Sequence, residues 1–142
     1  MPTPRDISFT AGPNSAACRL LPVAAPAEVW ALAQREFPCS RLEQLPLRWP
    51  LLYALRQLDR GQYLALMGAT TPRPWLLGCP DIALLAGVLF SYDYVQIAGR
   101  HRETPHVVYF TLSEAGRRKL LEGQAWWSSL SFWQRARVRL LG

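Results

Sequence analysis

The stretch DIALLAGVLFSYDYVQIAGRHRETPHVVYFTLSEAGRRKLLE, Asp81 to Glu122, decides how this chain folds. Pro80 and Asp81 read as a helix start, because proline fits an early helical position and a carboxylate suits the positive end of the helix dipole. Ile82, Leu84, Leu85, Val88 and Leu89 recur at three- and four-residue spacings, which places them on one helical stripe. Ser91 to Tyr94 breaks that pattern. Val95 and Ile97 then alternate with Tyr94 and Gln96 as in a half-buried strand. Gly99 to Pro105 is polar and carries Gly and Pro, so it reads as a hairpin loop. His106 to Leu112, rich in β-branched and aromatic residues, reads as the return strand. Ser113 is a good N-cap for a following helix, and Glu114 complements its dipole. Leu120 and Leu121 give that helix a buried side, and Arg117, Arg118 and Lys119 surround it with positive charge.

Helix, strand, charged turn, strand, helix is the order of the back half of a winged helix. Over Asp81 to Glu122, and above all in the phrase YFTLSEAGRRKLLE (Tyr109–Glu122), the chain resembles the MarR- and PadR-like winged helix-turn-helix regulators. The resemblance implies an α+β, mainly helical fold: a three-helix core plus a two-stranded wing. It also implies DNA binding and transcription regulation. The wing tip would carry Arg100, His101 and Arg102 to the phosphates or the minor groove, and Arg117 and Arg118 would contact the backbone. The tip is expected beside the helix that starts at Ser113. The helix before the wing offers Ala83, Ala86, Gly87 and Ser91, which supply few groups to hydrogen-bond a base edge. Backbone contacts should therefore dominate, with little sequence discrimination.

Upstream, residues 1–26 are rich in Pro, Ala and Ser and read as an N-terminal arm, with Ile7, Phe9, Leu20, Leu21 and Val23 able to pin it to the body. Residues 27–122 form the expected domain. Ala27 to Phe37 is a short amphipathic helix, an addition to the core, and Pro38 ends it. Ser40 and Glu43 have the spacing of a capping box. The next helix starts near Trp49 and runs to Asp59, with Leu51, Leu52, Leu55 and Leu58 as its buried stripe. Gln62 to Ala69 reads as a short helix and Thr70 to Pro74 as a turn. Those two helices and the one after Asp81 make up the three-helix core.

Downstream, Gly123 is expected to break the preceding helix. Residues 123–142, GQAWWSSLSFWQRARVRLLG, then read as one basic amphipathic helix, with Trp126, Leu130, Trp133, Ala136 and Leu140 on one face. Trp126, Trp127, Leu130 and Trp133 are its candidate interaction residues. It can dock on the domain or on a second copy, forming a homodimer. It can fill a protein partner's groove, or lie on an anionic membrane surface, for which its apolar face is short.

Half of the 142 residues are hydrophobic, enough for one domain with a sizeable core and too many for a disordered chain. The net charge of +6 is uneven: residues 99–142 hold eight Arg/Lys against three Glu, so the basic character belongs to the wing and the C-terminal region. A localised positive face favours an anionic partner. Three scattered cysteines, Cys18, Cys39 and Cys79, define neither a disulfide framework nor a CxxC metal site, and a reduced cytoplasmic setting is expected. The N-terminus shows no signal-peptide pattern. The run Trp75–Phe90 is interrupted by Pro80 and Asp81 and falls short of the roughly 20 residues of a spanning helix. No phosphate loop, nucleophile elbow or paired carboxylates stand out, and His101 and His106 lack further ligands at metal spacing. The expectation is a non-enzymatic protein with no metal or cofactor. Two functions compete: a small nucleic-acid-binding regulator, and a winged helix reused as a protein–protein interaction subunit or adaptor in a larger, nucleoprotein assembly.

Overall fold

The structure, a computed structural model, describes residues 20–38, 48–68, 70–80, 82–104 and 106–141. Within them the chain is α+β, with five helices and a four-stranded antiparallel sheet. The expected capping box at Ser40 and Glu43 and the helix start at Asp81 lie outside the described residues, as does the arm before Leu20.

Helix α1 spans Pro26–Glu36 with proline in its first turn and Glu28 at its positive end. Helix α2, Arg48–Asp59, buries Leu51, Leu52, Ala54, Leu55 and Leu58, the stripe its periodicity predicts. It stops in a Schellman motif: Gly61 N–H donates to the Leu58 carbonyl and Gln62 N–H to that of Gln57, both at 3.1 Å. Gly61 supplies the required left-handed conformation (φ 94°).

The helix expected over Gln62–Ala69 is a strand, β1 (Leu64–Met67), which turns back into β2 (Arg73–Trp75). The expected middle helix ahead of the hairpin is therefore absent, and the sheet has four strands rather than two. The physical reason is position. β1 is a central strand, paired with β2 on one side and with a later strand on the other, and Leu64, Ala65 and Leu66 are all buried. A strand buried on both faces loses its polar alternation and reads as a short apolar run, which periodicity alone cannot tell from a helix.

Helix α3, Ile82–Ser91, ends in a second Schellman-type turn, with Asp93 in the left-handed region (φ 57°). Strands β3 (Val95–Arg100) and β4 (Val107–Leu112) form the expected hairpin, but Gly99 and Arg100, expected in the loop, still pair with Tyr109 and Val108 beyond an irregularity after Ile97, and the sheet runs β2-β1-β4-β3. The free edge of β3 is met by the end of the N-terminal arm, where Leu21 and Arg100 exchange backbone hydrogen bonds of 3.1 and 2.8 Å. Phe90 and Phe110 are fully buried at the centre of the core, 5.1 Å apart, and Trp30 of α1 packs its ring on both.

Helix α4 spans Glu114–Ser129. Ser113 caps it as predicted: its Oγ accepts from Gly116 N–H at 3.0 Å, while its own hydroxyl donates to the Asp93 carbonyl. Two expectations for this helix fail. Leu121 is exposed, because the buried stripe is Gly116, Leu120 and Trp127. Gly123 does not break the helix. A Cβ there would stand 2.8 Å from Leu52 Cδ1, so the glycine lies directly against Leu52 of α2. The expected boundary between residues 122 and 123 therefore falls inside α4.

The helical break comes later, at Leu130–Ser131, and helix α5 is Phe132–Leu141. A reciprocal capping box starts it. Ser131 Oγ accepts from Gln134 N–H at 3.3 Å, and Gln134 Oε1 accepts from Ser131 N–H at 2.8 Å.

Candidate functional site

The predicted cations separate into two groups. Arg100 ends β3 half-buried, and its Nη1 donates to the His101 carbonyl at 3.3 Å. His101 is held by its own loop: its Nδ1 accepts from the backbone N–H of Glu103 and of Thr104, each at 3.1 Å. That nitrogen is a structural acceptor for the loop. Arg102 is exposed beside it.

Arg117 and Arg118 lie at the other end of the hairpin. The register places Arg100 opposite Val108 and Val95 opposite Leu112, and α4 starts just after Leu112. Five residue steps of β4 put about 17 Å between the wing tip and the start of α4. The expectation of a tip lying beside that helix is thus corrected, because the hairpin's length intervenes. Arg117 makes a 3.8 Å ion pair with Asp59 at the end of α2, both groups well exposed, so the pair contributes little to stability. Among the described residues no carboxylate pairs with Arg100, Arg102 or Arg118.

Helix α3, which precedes the β3–β4 hairpin, exposes little of its surface. Seven of its ten residues are buried. The backbone after α1 lies on its outer side: a Cβ on Gly87 would stand 2.5 Å from the Pro38 carbonyl oxygen and 3.2 Å from that of Phe37. Only Ala83, Leu84 and Ser91 reach the surface, and Leu84 is 63% exposed. None of these presents the donor–acceptor pairs that base edges require.

The aromatic residues of the C-terminal region also divide. Trp127 is buried and stacks on Trp49 of α2, with 4.2 Å between centroids. Trp126 and Leu130 are half-buried against the core. Four guanidinium groups cover these rings: Arg48 over Trp126 at 5.0 Å, Arg56 over Trp49 at 5.6 Å, Arg135 over Trp127 at 5.7 Å, and Arg139 over both Trp49 and Trp127 at 5.4 and 5.3 Å. Each such contact contributes on the order of 0.5–2 kcal/mol, depending on its desolvation. Arg135 also closes the end of α4, its Nε donating to the Trp127 carbonyl at 3.1 Å and Nη2 to that of Ser128 at 3.3 Å.

Of the four predicted interaction residues, only Trp133 faces outward. Phe132, Trp133, Leu140 and Leu141 are 75%, 79%, 84% and 73% exposed. Burial of such side chains is worth about 1.5–3 kcal/mol each, and α5 leaves it unrealised. Phe132 escaped the sequence reading because the single long helix put it off the apolar stripe. The signal that re-phases the helix is the Ser131–Gln134 capping box, which is visible in the sequence.

Among the described residues no three His, Cys, Asp or Glu side chains come together, and no helix is long and apolar enough to cross a membrane. No family model, no curated protein and no solved structure matches this chain.

Proposed function

We propose that this chain is a winged-helix protein that holds nucleic acid by its phosphate backbone, as a small DNA-binding regulator with low sequence discrimination. The observation that carries the reading is the placement of β1 beside β4, with α2 ahead of β1 and α3 ahead of the β3–β4 hairpin. That pairing supports the winged-helix reading, with the hairpin as the wing and exposed Arg102 at its tip, while β2 stands where the middle helix was expected. Arg100 and His101 at the wing, and Arg117 and Arg118 on α4, are the backbone contacts. The closed surface of α3 supports phosphate contact over base reading. No catalysis is assigned.

Binding to a mixed-sequence duplex across a salt series tests this. The affinity should fall steeply with salt, and changing Arg100 and Arg102 together to Ala should reduce the log–log slope by about 2, near 0.9 per phosphate lost. No binding at low salt, or an unchanged slope in the double variant, overturns it.

A second reading is an interaction subunit or adaptor in a larger, nucleoprotein assembly. A separate observation favours it: α5 turns four large apolar side chains to solvent, whereas seven of the ten residues of α3 are buried.

A further inference from the structure

Helix α5 is docked with its polarity inverted. A ten-residue amphipathic helix serving only its own domain would bury Phe132, Trp133 and Leu140 and leave its arginines in water. Here half-buried Arg135 lies over the Trp127 ring and bonds two carbonyls at the end of α4, and Arg139, itself still exposed, lies over Trp127 and Trp49. Val138 on that side packs against the core. The apolar side faces out from a helix that is held in place and capped at its start.

At 100° per residue, Phe132, Ala136, Leu140 and Trp133 fall in sequence around one side of the helix. Arg137 follows about 40° beyond Trp133, ahead of Leu141. Arg137 is exposed and, among the described residues, no carboxylate pairs with it. The face is thus an apolar stripe with one free cation set into its edge, on a helix with three arginines and no acid.

Charge selects the occupant. Arg137 lies near the middle of α5, so an antiparallel two-fold pairing centred on α5 would set it close to its own copy, which costs affinity. A partner whose own apolar stripe is flanked by carboxylates would instead fill the stripe and pair the cation. We propose that the outer face of α5 docks an acidic amphipathic helix of a partner protein, with Phe132, Trp133 and Leu140 as anchors and Arg137 as the charge selector. The proposal rests on the adaptor reading and deepens it.

The test uses the full chain and three labelled helical peptides sharing one leucine stripe at three- and four-residue spacing, flanked by Glu, by Gln or by Lys. The Glu peptide should bind most tightly, by about fivefold over the Gln peptide, the upper end for an exposed ion pair. Trp133→Asp, at a site exposed enough to leave folding intact, should abolish binding. Arg137→Glu should invert the order of the Glu and Lys peptides. Equal binding of Glu and Gln peptides, lost in Trp133→Asp, overturns the acidic partner while the adaptor reading stands. Absence of binding by any peptide, with Trp133→Asp indistinguishable from the parent, removes both. A dimer in sedimentation that Trp133→Asp dissociates would assign the face to a second copy. Pelleting with phosphatidylglycerol vesicles, without peptide binding, would assign it to a lipid surface. Either result overturns the proposal.

Discussion

Trp127 of α4 lies face to face with Trp49 of α2, at 4.2 Å between centroids and 27° between planes, and Arg139 of α5 sits over both rings. One stacked pair thereby fixes three helices. It also settles which side of α5 turns inward, since the cation is held by the indoles.

Removing that platform should separate two effects. Trp127→Ala deletes a buried aromatic and should destabilise the fold by about 3–5 kcal/mol. Arg139→Ala leaves the stack in place and should cost less than about 2 kcal/mol. Denaturant unfolding measures both. In the arginine variant, protease cleavage between Ser131 and Leu141 should accelerate while the rest of the chain stays resistant.

The two glycines of α4 should respond differently to alanine. A Cβ at Gly116 would lie 2.1 Å from the Tyr94 carbonyl oxygen, a backbone atom that cannot step aside. Gly116→Ala should therefore destabilise by about 1–3 kcal/mol. At Gly123 the obstacle is Leu52 Cδ1, the end of a side chain that can rotate. The gain of up to about 1 kcal/mol in helix propensity offsets part of that contact, so Gly123→Ala should be close to neutral. Thermal melts of the two variants give the comparison.

Ser131→Ala removes the acceptor for Gln134 N–H at the start of α5, and the expected loss is about 1 kcal/mol. Because the box is reciprocal, Ser131→Ala and Gln134→Ala should be non-additive in a double-mutant cycle. Additive losses would mean that the two bonds act separately.

His101 should matter for the shape of the wing loop more than for its charge. Its Nδ1 satisfies two backbone donors. His101→Asn, which can accept at a similar position, should retain more of the loop's amide protection from exchange than His101→Ala. If both variants exchange alike, the ring is dispensable to the loop.

The β3–β4 hairpin and the cap of α4 were legible because their signals are local. Alternation in β3, β-branched residues in β4 and the hydroxyl of Ser113 each act within a few residues, and all three appear where the sequence places them. Residues 62–69 misled for the opposite reason. Leu64 to Met67 becomes a strand because β2 and β4 close on either side of it, and those partners are set by the fold.

By itself the sequence determined the helix–hairpin–helix order of Asp81 to Glu122, the buried stripe of α2 and the concentration of positive charge after Gly99. Each follows from spacing or composition along the chain. Tertiary structure alone decided that the backbone after α1 packs on α3 at Gly87, that the hairpin cations and those of α4 stand a hairpin's length apart, and that α5 presents its apolar side outward. Sequence periodicity defines two faces of a helix but not which one turns inward. In this fold Trp49 and Trp127 take that role, their stacked rings lying under Arg139, with Arg135 over Trp127.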